Sequence, residues 1–435
     1  MFLITALIAP LALTASAPIQ SGELPRKPAL GIQFQAGTLV VAGTVPGGSA
    51  EKDLKPGDIL LSLNNVTLEN PQLLGSTVAQ LKTGEKIPVV LQRDGKVVNL
   101  TLTLKERPRE TSPDYDVIYS HVMSNGNRIR TIITKPKKEG KFPVFFMMQG
   151  LGQFSMDYPL SGPSGPYKEF VQHFAKKDFV TIRVEKPGMG DAEGGPYPET
   201  DFFTEGDVYL QALRDIKTKP YVNPDRVFLF GHSMGGTFGP WVVSQEPVYG
   251  FIPASTLYKT WTEYWIENVR RQQALAGASP QEQDAGARAD AVIQPLVLLH
   301  NWTPARVAEE FPVYKPYIDE YFGQDPTKMM GRTLGFWRQL AGLNLPELWS
   351  KVNARTLVLW GQWDYVSTEA DHMMIRDQLN SQNPGSATYV RIDDAFHGFT
   401  KATSYENARA VPSQPFNFKV IEVMDEWIKK QLADN

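Results

Sequence analysis

Short apolar runs alternate with longer amphipathic segments from residue 117 onward. The apolar runs predict strands at 117–122, 129–134, 143–148, 179–184, 226–230, 250–255, 356–360 and 388–392. The amphipathic segments predict helices at 165–177, 203–217, 235–245, 368–379 and 415–432. This alternation predicts a mostly parallel central sheet that carries helices on both faces.

Residues 261–345 interrupt the alternation with helical sequence that is rich in Trp, Tyr and Phe, and we interpret them as an insertion. Aromatic side chains could line an apolar pocket above the sheet. We expect most of them to pack the insertion onto the sheet and a minority to contact a substrate.

The N-terminal part of the chain, residues 28–106, has a different pattern of short strands with alternating apolar positions. The turn Arg93-Asp94-Gly95-Lys96 between two such runs predicts a hairpin, because Asp-Gly readily adopts positive φ angles. Apolar residues spaced along 71–83 predict one amphipathic helix.

The segments "ALGIQF" and "VPGGSAEKDLKPGDILLSLNN", followed by the helix pattern, resemble a PDZ domain of the bacterial envelope type. The resemblance implies a small mixed β/α domain over 28–106 with a groove for an extended peptide. It also implies that backbone N–H groups near Leu30, Gly31 and Ile32 hold the peptide's terminal carboxylate. The alternative is a small domain that only packs on its neighbour. Residues 107–116 are interpreted as a linker to the domain at 117–435.

The first residues, "MFLITALIAPLALTASA" (1–17), resemble a secretory signal peptide that ends in a small-x-small cleavage pattern. The segment lacks the usual Lys or Arg at its start. A membrane anchor, the alternative, needs roughly 20 apolar residues, and Pro10 interrupts this shorter run. We therefore expect cleavage, no transmembrane span afterwards, and a periplasmic or extracellular protein.

Composition narrows the classes of function. A chain of 435 residues favours two domains, and 42% hydrophobic with 21% charged residues argues against disorder. Lys+Arg 44 against Asp+Glu 47 leaves no basic excess for nucleic acid. There is no Cys and the six histidines are scattered, so neither a metal site nor a cofactor is predicted.

The stretch "RVFLFGHSMGG" carries the candidate chemistry. It has the G-x-S-x-G form at Gly231, Ser233 and Gly235, at the end of a predicted strand and before a predicted helix. That context is the one that a nucleophile elbow requires. The hydroxyl of Ser233 is expected above the sheet edge, with the N–H of Met234 facing the same space.

With this motif, residues 117–435 resemble the α/β-hydrolase fold, which implies a helical cap over the nucleophile at about 261–345. The resemblance also implies the chain order serine, acid, histidine. His397, on a predicted loop before the last helix, is then the base, and Asp364, after the strand "TLVLW", is the acid. Asp393 and Asp394 are rivals that lie close before the histidine.

An oxyanion hole is expected where the strand 143–148 ends in Gln149-Gly150-Leu151-Gly152. The family usually has His-Gly at this place, and Gln149 stands where that histidine would be. The N–H of Leu151 is the expected donor beside that of Met234.

These expectations favour an exported serine hydrolase that cleaves a carboxylic ester or a related acyl bond through an acyl-enzyme. One alternative is a serine peptidase that acts on peptides captured by the PDZ-like domain. Another is a catalytically inert protein that binds peptides. The expected partners are a small ester or peptide substrate and a peptide C-terminus, not nucleic acid.

Overall fold

The computed structural model describes residues 23–35, 37–70, 73–74, 77–78, 80–157, 167–410 and 414–433. The predicted signal segment, 1–17, lies outside these residues. Within the predicted helix at 71–83, residues 73–74 and 77–78 are helical. Among the described residues, no helix is both long and apolar enough to cross a membrane.

The N-terminal domain contains two small antiparallel sheets. One pairs β1 with β2, and the other has the order β4-β3-β5-β6; their bounds are β1 Ile32–Phe34, β2 Val41–Thr44, β3 Ile59–Leu63, β4 Val66–Thr67, β5 Lys86–Arg93 and β6 Lys96–Thr103. Asp94 and Gly95 join β5 to β6 with φ angles of 49° and 74°. The predicted hairpin is therefore confirmed.

The C-terminal domain is built on one large sheet, which contains all the strands that the apolar runs predict. Its eight strands have the order β16-β15-β12-β11-β9-β10-β8-β7, and β13 pairs with β14 separately. The bounds are β7 Tyr115–Ser124, β8 Asn127–Pro136, β9 Phe142–Met148, β10 Val180–Val184, β11 Val222–His232, β12 Gly250–Ala254, β13 Lys328–Met329, β14 Arg332–Thr333, β15 Arg355–Gly361 and β16 Ala387–Ile392. Neighbours from β16 to β10 are parallel, while β8 is antiparallel to β10 and β7.

Both faces of this sheet are buried, and strand β9 shows how the sequence achieves this. Val144, Phe146 and Met148 belong to the core on one face, and Phe145 and Met147 belong to the core on the other. Side chains alternate across a strand, so a continuous apolar run buries both faces at once. The central sheet can therefore present functional groups only at the ends of its strands.

Helices cover the two faces and form the insertion. Their bounds are α1 Lys168–Ala175, α2 Phe202–Lys217, α3 Met234–Gln245, α4 Trp261–Leu275, α5 Pro280–Gln294, α6 Pro304–Glu310, α7 Lys315–Phe322, α8 Leu334–Ala341, α9 Leu345–Trp349, α10 Glu369–Gln382, α11 Tyr405–Ala410 and α12 Lys419–Ala433. A π-helical turn, Pro295–Leu299, follows α5, and short 3-10 turns lie at Tyr197–Glu199 and Pro312–Tyr314.

The insertion after β12 forms a helical cap from α4 to α9. Its aromatic side chains pack mainly on one another and on the core, as the sequence pattern suggested. Trp261 lies against Trp337 with ring centroids 4.7 Å apart, and both are buried. Trp349, at the end of the cap, stacks on Phe251 of β12 at 5.7 Å. These contacts hold the cap on the sheet.

The segments on either side of the N-terminal domain bind the C-terminal sheet domain. Arg26 is buried, pairs with both Asp157 and Asp191, and lies 4.4 Å above the ring of Tyr119. Two of its nitrogens also donate to the carbonyl of Arg107. A buried arginine whose donors are satisfied fixes geometry strongly. We call residues 23–28 and 106–110 the strap.

The predicted linker, 107–116, is not a free connection along its whole length. Tyr115 and Asp116 belong to β7, and Tyr115 is buried in the core. Glu110 is also buried, and its carboxylate accepts from Arg183 at 2.6 Å. The apolar pattern alone placed the start of the sheet domain two residues too late, because β7 extends into polar sequence.

Candidate active site

The nucleophile elbow lies between β11 and α3. Ser233 has φ 56° and ψ −122°, so its backbone is in a region that residues with a Cβ rarely adopt. A Cβ on Gly235 would lie 2.2 Å from the carbonyl oxygen of Met148, and one on Gly231 would lie 2.7 Å from that of Gly235. Only glycine fits these two positions, which explains the G-x-S-x-G pattern around the serine.

Three side chains that are distant in sequence meet at this elbow. The Nε2 atom of His397 lies 3.0 Å from the Oγ atom of Ser233. Its Nδ1 atom lies 2.8 Å from Oδ2 of Asp364. The structure therefore brings together the serine, histidine and acid that the sequence predicted, within hydrogen-bonding distance of one another.

Asp364 is fully buried and its carboxylate is well supplied with donors. Oδ1 accepts from the N–H groups of Val366 and Ser367, and Oδ2 accepts from the Ser367 hydroxyl at 2.6 Å. Burial raises the pKa of this carboxyl, but the attraction of His397 and these hydrogen bonds outweigh burial and bring the pKa to about 2. An ionised Asp364 accepts a hydrogen bond from Nδ1–H of His397, which leaves Nε2 free to accept a hydrogen bond from Ser233.

The loop after β9 lies directly beside the nucleophile. A Cβ on Gly150 would be 3.2 Å from the Cβ of Ser233. Among the described residues, no acceptor takes the N–H of Leu151 or of Met234. These are the two groups expected as oxyanion donors. Gln149 turns away from the site, since it is buried and its amide donates to the carbonyl of Val184 at 3.2 Å.

His232 links the two loops that border the nucleophile. The N–H of Gly150 donates to the hydroxyl of Tyr167, and that hydroxyl lies 2.9 Å from Nδ1 of His232. Nε2 of His232 carries the ring proton, because its partner at 2.8 Å is the carbonyl of His397, which can only accept. In the neutral ring Nδ1 therefore accepts from the Tyr167 hydroxyl. Burial, followed by the nearby His397, lowers the pKa of His232 to about 3. This neutral imidazole connects the loop after β9 to the loop of the catalytic base.

The cap contributes a second support, on the side of the acid. Arg271 of α4 donates to the carbonyls of Tyr365 and Val366, at 2.8 and 3.0 Å. Those two residues directly follow Asp364. The position of the acid therefore depends on the cap as well as on the strand that precedes it.

The predicted peptide-binding loop lies at the start of β1. The carbonyls of Leu30 and Gly31 accept from Ala50 and Val45, at 2.9 and 2.8 Å. In a planar trans peptide the C=O of one residue and the N–H of the following residue point in opposite directions. The N–H groups of Gly31 and Ile32 therefore face away from Val45 and Ala50. Among the described strands, β1 pairs only with β2. Among the described residues its other edge has no strand partner, as strand addition by a peptide requires.

The sequence did not identify Tyr167 and His232, which support the site, or Arg26, which anchors the strap. His232 adjoins the nucleophile and was expected only to point elsewhere. Lys186 is also buried, and its place two residues after the apolar strand "VTIRV" was the available signal. Within the described ranges, no group of three or more His, Asp or Glu residues is arranged to hold a metal ion.

Similar proteins of known name match separate parts of the chain. Esterase EstD of Thermotoga maritima is 24% identical over 198 residues, which is 45% of this chain and 47% of the esterase. Periplasmic serine endoprotease DegP of Escherichia coli is 29% identical over 116 residues, 26% of this chain and 24% of the endoprotease. The chain thus spans about half the length of the first relative and about a quarter of the second.

Solved structures with low sequence identity also align with the chain. Est1E from Butyrivibrio proteoclasticus is 14% identical, with a TM-score of 0.44, over 73% of this chain and 99% of Est1E. Pyrococcus horikoshii acylaminoacyl peptidase is 14% identical, with a TM-score of 0.46, over 79% of this chain and 48% of the peptidase.

Family-level similarity is stronger and covers most of the sheet domain. The alpha/beta hydrolase family matches residues 150–399, a range that includes the elbow, the acid and the histidine. The PDZ domain family matches residues 22–92. With the eight-stranded sheet and the serine elbow described above, these matches show that the chain belongs to the alpha/beta hydrolase family and carries an N-terminal PDZ domain.

Proposed function

We propose that the protein is an exported serine hydrolase that cleaves a carboxylic ester or a related acyl bond through an acyl-enzyme. The observation that carries this proposal is the hydrogen-bonded line from Ser233 through His397 to Asp364. A serine hydroxyl becomes a useful nucleophile only beside a positioned base, and the base needs a partner that fixes its tautomer. All three parts of this arrangement are within reach of one another.

In the first half of the proposed reaction, Oγ of Ser233 attacks the substrate carbonyl carbon. Its proton passes to Nε2 of His397, and the ionised Asp364 stabilises the imidazolium that forms. The N–H groups of Leu151 and Met234 donate to the oxygen that becomes negative. The intermediate collapses when the imidazolium gives its proton to the leaving alcohol, and an ester to Ser233 remains.

In the second half, a water molecule takes the place of the alcohol. His397 accepts a proton from that water as it attacks the acyl carbon, and the same oxyanion donors stabilise the second intermediate. The carbonyl–Oγ bond then breaks, Ser233 regains its proton from His397, and the carboxylic acid leaves.

A fluorophosphonate probe tests the proposal directly. The wild-type protein should be labelled, and Ser233→Ala should not be. Ser255→Ala is a matched control, because Ser255 is also a buried serine at positive φ, directly after the neighbouring strand β12, but its hydroxyl has no hydrogen-bond partner among the described residues. Labelling of Ser233→Ala, or no labelling of the wild type, contradicts the proposal and favours an inert peptide-binding protein.

The substrate class has two candidates. An ester is favoured by the match to an esterase, while the PDZ domain favours a peptide substrate captured by its C-terminus. A panel of p-nitrophenyl esters of increasing acyl length, compared with aminoacyl p-nitroanilides, separates the two. Faster turnover of anilides than of esters would overturn the esterase proposal.

Export is the part of the proposal that depends on sequence alone. The apolar segment at 1–17 and its small-x-small ending support it. N-terminal sequencing of the protein isolated from its native host should begin after Ala17. A mature protein that retains Met1 or its apolar segment would contradict cleavage.

A further inference from the structure

A buried polar cluster lies beneath the loop that borders the nucleophile. It consists of Lys186, Tyr197, Glu205 and Arg332, all of which are buried. Glu205 pairs with both cations, at 3.3 Å from Lys186 and 2.6 Å from Arg332. Charged groups are rarely buried without a structural or functional reason, because removing them from water is unfavourable. The proposed reaction uses none of these four side chains.

The cluster binds three successive carbonyl groups of the loop. Nζ of Lys186 donates to the carbonyl of Gly150 at 2.5 Å and to that of Gly152 at 3.1 Å. The hydroxyl of Tyr197 donates to the carbonyl of Leu151 at 2.9 Å. The carbonyls of residues 150–152 therefore all have partners within one cluster.

The direction of the Tyr197 proton follows from its other partners. The hydroxyl oxygen accepts from Lys186 at 3.0 Å and from Arg332 at 2.6 Å. Both of these cations are donors only. The single proton of the hydroxyl is thus available for the carbonyl of Leu151. Because Arg332 belongs to β14 of the cap, the cap takes part in fixing this loop.

Fixed carbonyls also fix the N–H groups on the opposite side of each peptide. In a planar trans peptide the C=O and the following N–H point in opposite directions. Since the Gly150 carbonyl points at Lys186, the N–H of Leu151 points away from the cluster, and Gly150 itself lies against Ser233.

We infer that Lys186 and Tyr197 are positioning residues that orient the peptides of residues 150–152 so that the N–H of Leu151 serves as an oxyanion donor. The inference deepens the proposed function and rests on it. Neither side chain touches the reacting atoms. Their effect is exerted through the loop, and it should be larger in the transition state than in the bound substrate.

Tyr197→Phe is the mildest test, because it removes one hydroxyl and keeps the ring. With a p-nitrophenyl ester, kcat should fall about 10-fold to 100-fold with KM changed less than about 2-fold, since a misdirected oxyanion donor weakens only transition-state binding. The inhibition constant of a boronic acid, which forms a tetrahedral adduct on Ser233, should rise in parallel with the loss of kcat. Lys186→Met should show the same pattern with a larger loss.

Tyr209→Phe is the matched control. Tyr209 is also a buried tyrosine, but its hydroxyl has no hydrogen-bond partner among the described residues. Its kcat, KM and boronic acid inhibition should match those of the wild type. Equal kinetics for Tyr197→Phe and Tyr209→Phe would overturn the inference, and so would a rise in KM with unchanged boronic acid inhibition.

A crystal structure of Tyr197→Phe separates this inference from the proposed function. If the wild-type protein does not hydrolyse any ester or anilide, the proposed function fails, and with it the oxyanion role of Leu151. If the wild type is active but the peptide planes of residues 150–152 keep their orientation in Tyr197→Phe, the positioning role fails while the proposed function stands. Rotation of the peptide between Gly150 and Leu151, which carries the N–H of Leu151, supports the inference.

Discussion

Replacing His232 by glutamine should make the protein markedly less sensitive to acid. His232 is buried, and both of its ring nitrogens are hydrogen-bonded in the neutral form. In the neutral ring Nε2–H donates to the carbonyl of His397 and Nδ1 accepts from the Tyr167 hydroxyl, so a second proton on Nδ1 would remove that hydrogen bond. Glutamine carries no titrating group at this place.

The magnitude follows from the pKa of His232, which burial and the nearby His397 lower from 6.5 to about 3. As the pH falls below 6.5, the unfolded chain takes up this proton first, so stability is fully present above 6.5 and is lost toward pH 3. At pH 4 the loss relative to pH 7 is about 3 kcal/mol, at 1.36 kcal/mol for each pKa unit. That is a large fraction of the stability of a typical domain.

Urea unfolding at pH 7 and pH 4, followed by tryptophan fluorescence, measures this loss. All nine tryptophans lie between residues 241 and 427, so the signal reports on the hydrolase domain. The wild type should lose about 3 kcal/mol more than His232→Gln over this interval. His300→Gln, which changes an exposed histidine, should keep the wild-type dependence. Equal losses in the wild type and His232→Gln would refute the assignment of a neutral, buried imidazole.

Three further outcomes are expected. Asp364→Asn should lower kcat for a p-nitrophenyl ester by about 10³-fold to 10⁴-fold, because an amide N–H facing Nδ1 favours the wrong tautomer of His397. Stopped-flow assays measure the loss, and circular dichroism checks that the variant is folded. Arg26→Met should destabilise the protein by about 3–5 kcal/mol in urea, since it leaves buried carboxylates poorly compensated. Adding Asp157→Asn should then cost less than it does alone, and additive losses would contradict the coupling. Gly235→Ala should abolish fluorophosphonate labelling because its Cβ would lie 2.2 Å from the Met148 carbonyl, whereas Gly398→Ala, with no heavy atom within 4 Å of an added Cβ, should remain labelled.

The large sheet could be predicted from the sequence because each strand carries its own local signal. A strand buried on both faces, such as β9, is a continuous apolar run, and a run of that length between helical segments has few other interpretations. The elbow was equally local, since Gly231, Ser233 and Gly235 lie within one turn. His397 and Asp364 were found only through the chain order that the family resemblance implies, and the structure then brings them together.

The supports of the site could not be predicted, because they depend on contacts between distant segments. Lys186 and Arg332 are 146 positions apart in the numbering, yet both donate to the hydroxyl of Tyr197. Arg26 stands in a polar stretch that has the composition of a linker, and nothing local indicates that it is buried. Hydrophobic periodicity reports which side chains leave water, and it does not report which buried charges meet.

The strap has a topological consequence. Pro28 and Glu106 form an isolated antiparallel bridge, and the N–H of Arg107 donates to the carbonyl of Lys27 at 3.1 Å. The chain therefore leaves and re-enters the strap at adjacent points, about 5 Å apart as in any antiparallel pair. The PDZ domain is thus an insertion between two paired segments of the strap, both of which pack on the hydrolase domain. A short hairpin loop in its place would leave the pairing of the two strap segments intact, and a different peptide-binding module grafted at the same two positions would do the same.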